Sequence, residues 1–106
     1  MSSTPDVFPG KVILVAHLHS QPGKGDDLQR YLTAIHKFAN SDREPGCLTF
    51  RTARSGDTFV VFEEYTDKNA VSKHFESDQF KALAGAIPEI ALGPPTLTYF
   101  EEFKSQ

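Results

Sequence analysis

The sequence has no tryptophan and only one cysteine, Cys47. A lone cysteine excludes an internal disulfide and leaves a cysteine-based zinc site without its ligands. No apolar run approaches the roughly 18 residues that cross a bilayer, so no membrane span is expected. The opening Met-Ser-Ser-Thr-Pro-Asp lacks the basic and apolar segments of a secretory leader, and a cytoplasmic location is expected. Basic residues are few and scattered, 11 Lys and Arg against 14 Asp and Glu, which removes the electrostatic footprint of a nucleic-acid partner. Glycine-rich phosphate loops, internal repeats and low-complexity tracts are also missing.

What remains is 106 residues of ordinary globular composition, 39% hydrophobic and 24% charged, the length of one domain. Nine phenylalanines against three tyrosines supply a core that can enclose a flat apolar ligand. Residues 1–10, with Pro5, Pro9 and Gly10, read as a mobile arm, residues 11–103 as the single domain, and 104–106 as a tail. Val12 to Leu18 is a β-branched strand ended by Pro22-Gly23. Leu28, Tyr31, Leu32, Ile35, Phe38 and Ala39 recur at steps of one, three and four and form a helical stripe. Glu44-Pro45-Gly46 reads as a stiff turn into a second strand from Cys47 to Ala53. Ser55-Gly56-Asp57 has hairpin chemistry, so residues 58–65 pair back on that strand. Asp67 and Ser77 read as N-caps of two further helices, the second closed by Pro88, and residues 96–103 alternate as a last strand.

This order predicts an α+β, ferredoxin-like β-α-β-β-α-β domain: an antiparallel sheet with helices on one face. Val12–Val15 and Phe59–Phe62 are apolar on consecutive positions, hence on both faces of the sheet. The chain's own helices cover one face. A second copy packed sheet on sheet is the economical cover for the other, so a homodimer is expected. The competing cover is loops or the N-terminal arm folded over the sheet.

Three motifs carry a family resemblance. Pro22-Gly23-Lys24, Arg43-Glu44-Pro45-Gly46-Cys47-Leu48, and Phe62-Glu63-Glu64-Tyr65-Thr66-Asp67 leading to Ala70 and His74 fall in order on matching elements. Over residues 11–103 the chain resembles the antibiotic biosynthesis monooxygenase domain. That resemblance implies a dimeric α/β barrel with a pocket between sheet and helices in each subunit. It further implies oxidation of a small aromatic, phenolic or quinol-like substrate by O2, with no cofactor, neither metal nor flavin. The family also holds haem-degrading enzymes, an isomerase of a sugar phosphate and domains of no known activity, so fold leaves function open. Haem is disfavoured. Its subgroup uses an Asn on the first strand and a Trp on a later helix; here the first strand has no Asn, His74 stands in the Trp position, and Ala84 stands where the haem ligand would be.

Metal-free oxygenation needs a base, a polar group for the substrate anion, and apolar walls. His74 is the candidate base, because an imidazole titrates near neutrality. Its alternative role is a hydrogen-bonded pin between helix and sheet. Glu63 and Tyr65 share a strand face by period two. Glu63 would orient His74 and Tyr65 would donate to the substrate oxygen, or both would be structural. His17, His19, Phe50, Phe59, Val61 and Phe80 are the candidate substrate-binding residues. His17 and His19 lie on one face, in the pocket or at the dimer seam, and lack the third ligand a metal would need. His36, off the helical stripe, is expected in solvent; Arg43 and Glu44 are expected to pair at the surface or an interface. Cys47 has no neighbour that would activate it. An isomerase or proton-transfer enzyme using His74 and Glu63, with Arg51 and Arg54 for a phosphate, and a non-catalytic binding dimer are the rival functions.

Overall fold

The structure is a computed structural model and describes residues 4–103. A short 3-10 turn (Pro5–Val7) precedes β1 (Val12–His19), α1 (Gly25–Ala39), β2 (Cys47–Ser55), β3 (Thr58–Tyr65), α2 (Lys68–Phe75), α3 (Asp78–Ile90) and β4 (Thr96–Phe100). The strands lie in the order β2-β3-β1-β4, every pair antiparallel, which is the ferredoxin-like arrangement. Of the stretch expected to be a mobile arm, residues 5–7 form the turn, Phe8 packs against the core cluster that includes Val12, Leu14, Tyr65 and Val71, and the turn contacts α2. Its first three residues, and the tail at 104–106, lie outside the described residues.

Burial separates the two sheet faces that composition alone left equal. On β1, Val12, Leu14, Ala16 and Leu18 are buried under the helices, whereas Ile13 and Val15 are half-buried and His17 and His19 exposed. The helices present the expected stripes. Leu28, Leu32, Ile35 and Ala39 of α1 and Leu83, Ile87 and Ile90 of α3 close on Leu18, Phe50, Phe59 and Val61. Burying each such large apolar side chain contributes ~1.5–3 kcal/mol. Asp67 and Ser77 cap α2 and α3 by accepting from the backbone N–H groups of Ala70 and Phe80.

Some boundaries differ from expectation. Pro88 does not end α3, which runs to Ile90. Proline removes one N–H, yet the next turn holds because Ala91 N–H still donates to Ile87. The buried stripe of α3 is Leu83, Ile87 and Ile90, with Ala84 facing solvent. The β2–β3 hairpin closes on Gly56-Asp57, with Gly56 at φ +60 in a position that favours glycine. Arg54, at the end of β2, donates to Asp26, Gln29 and the Gly56 carbonyl, tying α1 to the hairpin. His36 is half-buried, not solvated: its Nδ1 is enclosed and its ring meets Phe50 edge-on at 6.0 Å.

Two local features bring β2 into line with the helix side. A β-bulge between Cys47 and Thr49 inserts one residue, so Leu48 turns outward while Phe50 still points in. Immediately before it, Gly46 passes so close to α2 that a Cβ there would lie 2.5 Å from the Ala70 Cβ. Only glycine permits this approach. Gly46→Ala is therefore expected to destabilise the domain by ~1–3 kcal/mol through overpacking. Ala70→Gly in the same chain should recover part of that loss, and chemical denaturation of the single and double variants measures the coupling.

Candidate active site

One row of the sheet, Phe50–Glu63–Leu14–Tyr99, crosses all four strands on the helix side. It places a carboxylate among apolar side chains, with Glu63 4% exposed. Such a group needs partners. Tyr65, two residues on along β3, donates its hydroxyl to Glu63 Oε1 at 2.5 Å. From α2, one helical turn beyond Ala70, His74 brings Nε2 to 3.5 Å from the same oxygen. The other ring nitrogen, Nδ1, lies 2.9 Å from Glu44 Oε1 in the turn before β2. A carboxylate oxygen accepts, so Nδ1 is the donor in that bond. His74 is thus an imidazole between two carboxylates, itself 2% exposed and ringed by Phe50, Tyr65, Phe75 and Phe80 at centroid distances of 5.4–6.0 Å.

Glu44 is the member of this cluster that the sequence pattern did not reveal. Neither exposed nor paired with Arg43, it is buried, and Arg43 instead lies over the Phe38 ring. Periodicity carries no signal for a loop residue. The usable hint was chemical: a buried histidine needs a partner for each ring nitrogen, and Glu44 opens the turn whose Gly46 packs against the His74 helix at Ala70.

Desolvation pushes the Glu63 carboxyl up from its ordinary 4.5 to about 7, although His74 and the Tyr65 hydroxyl pull the other way. Burial, then the negative charge of Glu63, raises the Tyr65 hydroxyl far above its ordinary range, so it remains a donor. Burial and the carboxylates of Glu44 and Glu63 push the Cys47 thiol up to about 12, the opposite of what a nucleophile requires.

Glu63 and His74 together line a cavity walled by Ala16, Leu18, Phe50, Val61, Phe80 and Leu97. Its volume is about 20 Å³, room for one water molecule. Of the expected binding residues, Phe50, Val61 and Phe80 face this space. Phe59 does not. It is buried two rows away under the Arg54 guanidinium. His17 and His19 do not line it either, because period two turns both to the sheet face away from the helices. Tyr65 shares the face of Glu63, but its hydroxyl is committed to that carboxylate instead of reaching the cavity. Among the described residues no group of three or more His, Cys, Asp or Glu is placed to hold a metal ion, and no helix is long and apolar enough to cross a membrane.

The sequence profile of the antibiotic biosynthesis monooxygenase family matches residues 11–86. The chain belongs to this family. Among solved structures, it is similar to a Caulobacter crescentus protein that carries the provisional name antibiotic biosynthesis monooxygenase. Identity is 28%, with 92% of this chain and 93% of that one covered, at a TM-score of 0.81. Proteins of Mycobacterium tuberculosis (22% identity, 90% and 97% covered, TM-score 0.81) and Pseudomonas aeruginosa (18%, 90% and 96%, 0.82) share the fold. No curated protein matches the chain.

The raised Glu63 carboxyl has a consequence for stability. Between about 4.5 and about 7 the folded chain holds a proton that the unfolded chain has released. Stability therefore falls as pH rises through that window, by on the order of 3 kcal/mol for this group, and levels off above it. Urea denaturation at pH 5 and pH 8 should show the fall, and Glu63→Gln should largely remove it.

Proposed function

We propose that this protein is a cofactor-independent monooxygenase acting with O2 on a small phenolic or quinol-like aromatic, and that it works as a homodimer. The observation that carries the reading is the Glu63–His74 pair: two proton-accepting groups, both buried, at one end of an otherwise apolar cavity. A base is most effective when it titrates near the working pH, and Glu63 is shifted to about 7. The pair would take the proton of a ring hydroxyl. The electron-rich anion so formed would then reduce O2, with all the electrons drawn from the substrate. One oxygen atom stays in the product and the other leaves as water. Apolar walls keep bulk water from the intermediate. Family membership supports this class of reaction, while the substrate is named only by the chemistry of the walls.

Entry requires movement, since the cavity holds about one water molecule as it stands. Phe75 and Phe80, half-buried with ring centroids 4.7 Å apart, are the wall between it and the surface at the α2–α3 junction. A rival reading, proton transfer on a phosphorylated substrate, lacks its anion partner. Arg54 is engaged with Asp26 and Gln29 outside the cavity, and Arg51 lies exposed on the other sheet face.

The homodimer reading rests on that other face, where Ile13, Val15 and Val60 are half-buried and Phe62 and Phe100 are 42% and 45% exposed. Glu64, His17 and His19 lie on the same face and would be interface groups. Light scattering at micromolar protein is expected to give about twice the 11.8 kDa chain mass. Phe62→Lys should yield monomer or unfolded chain; a wild-type monomer that stays folded refutes the dimer.

Oxygen uptake with quinols and anthrones, without added cofactor, tests the chemistry. His74→Ala and Glu63→Gln should each reduce turnover per folded molecule by about a hundredfold or more. A melt on the same samples separates this from unfolding. Undiminished turnover in both variants would remove the pair from the mechanism.

A further inference from the structure

Two spaces flank the His74 helix. The inner one is the apolar cavity lined by Glu63 and His74. The outer one is a surface groove of about 480 Å³ between α2 and the turn before β2, with Arg43, Glu44, Thr66, Lys73 and Glu76 in its lining. They share no lining residue. A hydrogen bond between side chains joins them, from His74 Nδ1 to Glu44 Oε1 at 2.9 Å. Glu44 Oε2 is buried and has no hydrogen-bond partner among the described residues. A buried carboxylate oxygen in that state costs free energy unless it is used.

We infer that Glu44 is a proton-relay residue, which with His74 conducts protons between Glu63 in the inner cavity and water in the outer groove. The inference rests on the reading of Glu63 and His74 as the proton-accepting pair. Each transfer moves one proton and no electrons. Glu63 passes its proton to His74 Nε2, the Nδ1 proton passes to Glu44 Oε1, and Glu44 releases it to water. A proton returned along the same route restores the original tautomer. The geometry suits this use better than a purely structural one. A pin would be expected to satisfy both carboxylate oxygens, whereas Glu44 bonds the imidazole through one and has no partner for the other among the described residues. The route also addresses a difficulty of the closed cavity, where a base that has taken a proton has no bulk water to discard it to. The titratable groups around the proton route are Glu44, Glu63, Tyr65, Tyr99 and Cys47, with Arg43, Lys73 and Glu76 at the groove. Tyr65 is held protonated, so the route does not continue through it.

Nitrogen-15 NMR of the histidine ring tests this without substrate, by following exchange of the His74 Nδ1 proton with water. Glu44→Gln keeps an acceptor oxygen for Nδ1 but cannot take up a proton. The ring should stay in place while exchange slows by about a hundredfold. In Glu44→Ala, added acetate should enter through the groove and restore exchange. Glu44→Asp, which retains the charge but draws the carboxylate back, serves if the neutral variants do not fold, and its exchange should also be slow and acetate-sensitive. Wild-type exchange rates in Glu44→Gln, or in Glu44→Asp where that variant stands in, overturn the inference. Slowed exchange without any oxidation of quinols leaves the relay standing and removes the oxygenase reading. Oxidation with unchanged exchange does the reverse.

Discussion

The hydrogen bond between His74 and Glu44 lies inside the fold, where removing one partner would leave a buried charge at a cost of several kcal/mol. Much of the helix side is arranged so that this bond can form. Gly46 lets the turn after α1 approach α2 at Ala70, one helical turn before His74. The Asp67 cap fixes where α2 begins, and with it the direction in which His74 points. The Leu48 bulge returns Phe50 to the inward face, so its ring packs against the imidazole at 5.6 Å. Each device is local and cheap alone. Together they hold a buried imidazole between two buried carboxylates.

The proposed chemistry and the proposed assembly divide along the two faces of the sheet. The helix side carries Glu63 and Tyr65, the open side Phe62 and Glu64, and these are neighbours in sequence on one strand. Burial follows the alternation closely along β1 and β3 because a strand turns successive side chains to opposite faces. The cavity end of the site is correspondingly apolar. Its two titratable members are poised against each other: Glu63 is raised by burial and pulled back by His74. That balance keeps a carboxyl near neutrality inside an apolar wall, a condition suited to accepting a proton from a weakly acidic hydroxyl.

The architecture was legible in the sequence because it depends on short-range pattern. Period-two runs marked the strands, steps of three and four marked α1, and Gly56-Asp57 and the caps at Asp67 and Ser77 marked the breaks between elements. The motifs around Gly46 and from Phe62 to His74 were enough to indicate the family, and the profile match over residues 11–86 agrees. His74 and Glu63 could be named as neighbours in space because both lie on elements whose inward faces are periodic.

Partnership was decided by tertiary structure alone. Nothing in local spacing distinguishes Glu44 from a surface glutamate, since a turn has no face to assign; its burial arises from the approach of α2, twenty-six residues away at Ala70. Which side of β1 held the histidines was equally open, because Val12–Val15 is apolar on both. Only the packing of α1 and α3 settled that His17 and His19 turn away from the cavity. Sequence by itself determined the elements, their order and the inward positions of His74 and Glu63, as period and propensity act over a few residues. Hydrogen-bond partners, cavity walls and the closed state of the site depend on distances between segments far apart in the chain, which only the assembled fold defines.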